Sequence, residues 1–182
     1  MFPMTNRILG KMVDRCFLSF EGGTAWCRKD KVRLTGNPVR ASFLRHHGSA
    51  GRREREFTVA VVGGSQGASG INRAMVEALP YLADLKAALR IIHQTGERDY
   101  EPVARAYAGQ DIPVDVRSFF EDMTALYEAA DLVISRAGAT TLAEITASGC
   151  ASLLIPFPYA AGDHQTINAK VLCDAGAAEM IR

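Results

Sequence analysis

Neither charge sign dominates this chain: 21 Lys and Arg face 20 Asp and Glu, a formal net charge of +1 over 182 residues. So even a balance creates no long-range field to hold a phosphate backbone, which disfavours nucleic-acid binding. Long apolar runs are also missing. A membrane span needs about 18 such residues, and the longest run, Ala151 to Ala161, is broken by Ser152, Pro156 and Pro158. The start, Met1 to Val13, carries Arg7 and Lys11 but no apolar segment of the kind a secretory signal has. Cysteine is sparse: Cys16, Cys27, Cys150 and Cys173 contain no C-x-x-C, and His46, His47, His93 and His164 show no metal-ligand spacing. Cys150 and Cys173 fall in apolar segments, where a free thiol behaves as a small hydrophobe. These absences point to a cytoplasmic protein with no structural zinc and no cofactor.

What is present is ordinary globular material, 48% hydrophobic and 23% charged. The length suits one sizeable core with a short appendage. From Phe57 onward, short apolar runs alternate with helical patterns. Strands are expected at Phe57–Val62, Ala88–His93, Pro113–Phe119, Leu132–Ser135, Ser152–Ile155 and Ala178–Ile181. Helices are expected at Ala68–Leu79, Arg98–Ala108, Asp122–Ala130, Thr141–Ser148 and Gln165–Ala175. Such alternation predicts an α/β fold, a doubly wound parallel sheet of about six strands with helices on both faces. Gly149 and Gly176 each follow a helical run and precede a strand, as C-terminal caps do.

The first 56 residues read differently. A helix over Asn6–Asp14, short strands at Cys16–Phe20 and Val32–Leu34, and a turn at Thr35–Val39 cannot make a core alone. They resemble the tail of something larger. The polar stretch His46–Glu56 interleaves glutamates with its arginines and carries no aromatics, so it reads as a solvated loop rather than an RNA-binding arm.

The strongest local feature is Gly63-Gly-Ser-Gln-Gly67-Ala-Ser-Gly70, set between a buried strand and a helix. Small residues there let backbone N–H groups approach an anion, and the helix start adds positive potential. Ser65 stands where a dinucleotide fingerprint needs its second glycine, and no G-K-[ST] follows for a P-loop. The same residues match G-x-S-x-G, the nucleophile elbow of α/β-hydrolases, with Asp131 or Asp163 and His164 as conceivable partners of Ser65. No H-G-G-G loop precedes it. A tight turn without a ligand is the bland alternative, and phosphate binding the best single reading.

A second strand end, Ser135-Arg-Ala-Gly-Ala139-Thr-Thr-Leu-Ala-Glu144, again joins small residues to a helix start. Two such loops on one sheet edge suggest a shared crevice. Glu144 closes a capping box with Thr141, or else contacts a ligand such as a ribose. A third loop runs from Pro156 to Asn168. Asp163 suits a helix N-cap there, and the amides of Gln165 and Asn168, three apart, suit either a polyhydroxyl ligand or plain exposure.

Taken together, G-G-S-Q-G-A at 63–68, F-F-E-D-M at 119–123, S-R-A-G-A-T-T-L-A-E at 135–144, and P-F-P with H-Q-x-x-N-A at 156–169 resemble the MurG family. Thr35-Gly-Asn-Pro-Val-Arg40 is similar to that family's crossover between its two domains. The resemblance implies a GT-B glycosyltransferase that moves GlcNAc with inversion from UDP-GlcNAc to undecaprenyl-diphospho-MurNAc-pentapeptide, in peptidoglycan synthesis. It implies sugar-nucleotide contacts at Arg40, Ser65, Gln66, Gly67, Phe120, Ala139, Thr140, Thr141, Glu144, Gln165 and Asn168. Among these, Ser65 would meet the diphosphate, Phe120 the uracil through its backbone, Glu144 the ribose, and Gln165 and Asn168 the GlcNAc.

On that resemblance, residues 1–38 are a remnant of the acceptor domain, 39–56 a linker helix and polar loop, and 57–182 the UDP-GlcNAc-binding domain without its final helices. The family's base and its membrane-facing patch belong to the other domain, so no residue here is assigned as catalytic. A fragment that binds UDP-GlcNAc without turnover is expected. The lipid-linked acceptor and peripheral contact with the cytoplasmic face of the inner membrane belong to the full enzyme. A subunit of a split two-chain transferase, a hydrolase using Ser65, and a non-catalytic binding module are the alternatives.

Overall fold

The structure, a computed structural model, describes residues 4–20, 27–44, 56–64, 66–160 and 163–181. Most of the polar stretch after Arg45 and the serine of the glycine loop, Ser65, lie outside the described residues. The chain begins with α1 (Met4–Met12) and two short strands, β1 (Cys16–Leu18) and β2 (Val32–Leu34), which pair in parallel. Cys16 and Cys27 form a disulfide 11 residues apart in sequence. The sequence offers no pairing for these two, while Cys150 and Cys173 are free thiols. No spacing motif marks the disulfide.

The main body is a six-stranded, all-parallel sheet. Its strands are β3 (Phe57–Val62), β4 (Leu89–Gln94), β5 (Val114–Arg117), β6 (Leu132–Ser135), β7 (Ala151–Leu154) and β8 (Ala178–Met180). The spatial order is β5-β4-β3-β6-β7-β8. Helices α2 (Ser69–Leu82), α3 (Tyr100–Tyr107), α4 (Met123–Ala129), α5 (Ala139–Ser148) and α6 (His164–Asp174) make the crossovers. Every strand and helix expected after residue 56 is present, with ends moved by three residues or fewer. The expected end of α2 at Leu79 is overrun. Pro80 sits in its last turn, where its missing N–H interrupts only the helix end.

Each central strand is buried on both faces and divides its residues between two cores. Val59 and Val61 of β3 join Ile71, Met75, Leu79 and Val103 on the α2–α3 side. Ala60 and Val62 join Leu142, Ile145, Leu154 and Leu172 on the opposite side. A period of two with apolar residues at both phases is what a doubly covered parallel strand requires. The linker packs into this second core. Ala41–Leu44 forms a 3-10 turn, and the rest of the expected linker up to residue 55 lies outside the described residues. Phe43 is buried with its ring centroid 5.7 Å from that of Tyr127. No helix among the described residues is long and apolar enough to cross a membrane.

Strand order reverses between β3 and β6. Ligands in open α/β sheets bind beyond the carboxyl ends of the strands at such a switch point, and the two small-residue loops are the ones that flank it.

Candidate functional site

The glycine loop leaves β3 and turns into α2, and the loop after β6 turns into α5. Ala68 and Gly138 are the respective N-cap residues, and neither supplies a side-chain cap. Both helix starts therefore aim backbone N–H groups at the same crevice. That crevice has a volume of about 930 Å³, and its walls include Gln66, Gly67, Gly138, Thr141, Phe157 and Gln165. Two arginines face it. Arg136 donates from Nη1 to the carbonyls of Ile155 (2.9 Å) and Pro156 (3.1 Å), with its guanidinium 5.6 Å from the Phe157 ring centroid. Burial lowers its pKa from the usual arginine value. Arg98 donates to the Ser69 hydroxyl.

Close backbone approach gives the glycine loop its shape. Gly67 has φ +76°, and a Cβ there would lie 2.0 Å from the Thr95 carbonyl oxygen. The loop thus lies directly on the carboxyl end of β4, and the residues that hold it were not flagged in the sequence. Asn72, in the first turns of α2, donates from Nδ2 to Thr95 O (2.8 Å) and to Asp99 Oδ2 (2.9 Å). Its Oδ1 is then an acceptor for His93 Nε2–H at 3.0 Å, which leaves His93 Nδ1 to accept from the Tyr107 hydroxyl at 2.9 Å. These contacts assign the Nε2-protonated tautomer. Burial drives the His93 pKa down to about 4 and pushes that of Tyr107 up. A visible signal existed: His93, Gln94 and Thr95 are three consecutive polar residues ending an apolar strand, and all are buried.

The residues named from sequence fall into separate groups. Gln66, Gly67, Thr141 and Gln165 line the crevice. Gln165 accepts the Phe157 N–H at 2.9 Å and keeps its amide donors; Asn168 donates to Ala137 O at 3.2 Å, tying α6 to the loop before α5. Ala139 begins α5, with Thr140 beside it, 3.5 Å from the Asn37 amide. Glu144 is one and a half turns into α5. Because the helix starts two residues early, at Ala139 with Gly138 as cap, the expected Thr141–Glu144 capping box does not form. Glu144 is instead half-buried, accepting from the Tyr127 hydroxyl at 3.4 Å. Burial raises its pKa, opposed by that hydrogen bond and by the positive charge of Arg40. Arg40 thus acts on Glu144 from the crossover segment. Phe120 stands apart beside a second cavity of about 560 Å³. Its ring is buried, and its N–H donates to Gln94 Oε1 at 3.0 Å.

The two acids conceivable as partners of a Ser65 nucleophile, Asp131 and Asp163, are both engaged by other groups. Asp131 precedes β6, at the opposite sheet edge, where its carboxylate accepts the Thr58 N–H at 2.8 Å. Asp163 does cap α6 in position, in a left-handed conformation with φ +55°, but its carboxylate takes the Thr166 hydroxyl instead of a helix N–H.

Comparison with known proteins agrees with the geometry. Residues 58–182 match the sequence profile described as the glycosyltransferase family 28 C-terminal domain. One relative, from Syntrophus aciditrophicus, is 57% identical over 178 residues, covering 98% of this chain and 49% of its own length. Another, from Myxococcus xanthus, is 48% identical over 178 residues, covering 98% of this chain and 46% of its own. Both carry the name UDP-N-acetylglucosamine–N-acetylmuramyl-(pentapeptide) pyrophosphoryl-undecaprenol N-acetylglucosamine transferase. The crystal structure of Acinetobacter baumannii MurG superposes with a TM-score of 0.76 at 32% identity, over 98% of this chain and 50% of that one. A glycosyltransferase of kitacinnamycin shares the fold, with a TM-score of 0.62 at 21% identity over 93% of this chain and 42% of its own. The chain spans about half the length of the relatives it matches. It belongs to glycosyltransferase family 28, and residues 58–182 are that family's C-terminal domain.

Proposed function

We propose that this chain is the sugar-nucleotide-binding half of an inverting transferase. The complete enzyme would carry GlcNAc from UDP-GlcNAc to the N-acetylmuramyl-(pentapeptide) pyrophosphoryl-undecaprenol acceptor named for its relatives, in peptidoglycan synthesis. The observation that carries this reading is the crevice at the switch point, where two uncapped helix starts and two arginines converge. Such a site suits a diphosphate: backbone N–H groups and fixed cations hold oxygen anions without reorganising.

In the transfer, an acceptor hydroxyl attacks the anomeric carbon while the bond from that carbon to the diphosphate oxygen breaks. UDP departs with the bonding electron pair, and the hydroxyl proton passes to a base. The share proposed for this half is stabilisation of the departing diphosphate by the α2 and α5 starts, with Gln66, Gly67, Thr141 and Arg136 around it. Ser65, outside the described residues, is proposed from the sequence to meet it as well. Glu144, held by Tyr127 and facing Arg40, accepts the ribose hydroxyls, with Ala139 and Thr140 beside it. Gln165 offers its amide donors to GlcNAc, with Asn168 behind it. Phe120 borders the base, and its N–H reaches a ligand only by leaving Gln94. The base is proposed to come from outside this half, as the family resemblance implies, and His93, buried and already paired on both nitrogens, takes no part in it. Residues 1–38 belong with the acceptor-binding half, 39–56 form the connection, and peripheral membrane contact is made by the complete enzyme.

Calorimetric titration of this chain with UDP-GlcNAc tests the reading. Wild type is expected to bind, Glu144→Ala and Gln165→Ala to bind about tenfold more weakly, and none to turn over lipid acceptor. Equal affinity in all three would overturn the assignment.

A further inference from the structure

Gln94 ends β4 with its side chain buried, 2% exposed, between two loops that are 56 residues apart in sequence from Gly64 to Phe120. Its Nε2 donates to the Gly64 carbonyl at 3.0 Å, and its Oε1 accepts the Phe120 N–H at 3.0 Å. One loop borders the crevice of about 930 Å³; the other borders the cavity of about 560 Å³. A single planar amide therefore joins the walls of two cavities. Both contacts are to backbone, so they constrain the loops rather than particular side chains. An amide presents its donor and acceptor at a fixed separation, which no carboxylate or aliphatic chain reproduces.

We infer that Gln94 is a positioning residue that sets the spacing between the glycine loop and the loop after β5, so that one extended ligand engages both. This rests on the reading of the crevice as a sugar-nucleotide site. It adds that affinity for a ligand spanning both loops depends on a residue that need not touch it. Neighbouring elements leave few substitutes. His93 turns to the α2–α3 side, and the Thr95 hydroxyl donates to the carbonyls of Gly96 (2.9 Å) and Arg117 (3.3 Å).

The test compares wild type with Gln94→Met, which keeps the length and loses both polar atoms. UDP-GlcNAc, which is long enough to span both loops, is titrated by calorimetry. Inorganic pyrophosphate, which can occupy the glycine loop alone, is titrated by NMR shift perturbation. Gln94→Met is expected to weaken UDP-GlcNAc about tenfold while pyrophosphate changes by less than twofold, and the Phe120 amide is expected to lose hydrogen-exchange protection. A generally loosened fold would weaken both ligands alike and expose α2 and α5 amides too; that outcome overturns the inference, as does unchanged UDP-GlcNAc affinity. If wild type binds no UDP-GlcNAc, the functional reading fails. The Phe120 amide then still reports whether Gln94 ties the loops, and full protection in Gln94→Met refutes the tie.

Discussion

Three glycine-to-alanine substitutions separate the two demands that the fold places on its glycine loop. Gly109 has an ordinary backbone conformation, and a Cβ there would meet nothing within 4 Å. Gly109→Ala should be neutral or slightly stabilising, by about 0.5 kcal/mol, through a less flexible unfolded chain. Gly149 follows α5 at φ +65° with open space around it. Gly149→Ala isolates the left-handed backbone penalty, about 1 kcal/mol. Gly67 combines φ +76° with a Cβ only 2.0 Å from Thr95 O. Carbon and carbonyl oxygen normally meet at about 3.3 Å, so more than an ångström must be regained. Thr95 cannot yield easily, because its carbonyl accepts from Asn72 and its N–H donates to Arg117 O. The glycine loop must move instead.

The expected loss for Gly67→Ala is about 3 kcal/mol. At roughly 3 °C of melting temperature per kcal/mol for a chain this size, the series should read near zero, about 3 °C and about 9 °C lower. Differential scanning calorimetry measures it, with UDP-GlcNAc affinity recorded on the same samples. Only Gly67→Ala should lose tenfold or more in binding. Similar melting shifts at Gly67 and Gly149 would mean that the loop does not lie against β4, and the geometry argued for the crevice would fall with it.

His93 supplies a pH test. Its pKa is about 4 folded against 6.5 ordinarily, so the unfolded chain binds more protons between those values. Stability should rise with pH across that window; the contribution, up to about 3 kcal/mol, is complete above 6.5 and lost as pH falls towards 4. Urea midpoints at several pH values should show a flatter slope for His93→Gln, and an unchanged slope would rule out a buried neutral imidazole. Tyr127→Phe removes a long, 3.4 Å bond to Glu144, so UDP-GlcNAc affinity should fall only two- to threefold; a loss above tenfold would mean that the hydroxyl itself meets the ligand. Among the described residues, the only buried side-chain oxygen or nitrogen without a partner is Ser152 Oγ. Ser152→Ala should therefore raise stability by about 1 kcal/mol, read as a higher melting temperature, and a clear loss would reveal a partner for that hydroxyl.

Period and punctuation alone determined the order of strands and helices after Phe57 and the parallel, doubly covered character of the sheet, because apolar runs such as Val59–Val62 leave no solvent face. They also located both small-residue loops, since glycine placement is a local backbone requirement. Tertiary structure decided what those loops face. The Thr141–Glu144 spacing fits a capping box as well as a ligand contact, and only the start of α5 at Ala139, with Tyr127 packed beneath, settles which group Glu144 meets. The passage of Phe43 into the core was equally unreadable, because it depends on which distant segments pack around it, and no spacing motif marked the pairing of Cys16 with Cys27. Asp131 passed as a triad acid in chain order and fails by lying at the wrong sheet edge. The roles of Asn72 and Gln94 came only from the fold: a side-chain amide declares nothing until the groups it joins, far apart along the chain, are brought within 3.0 Å of it.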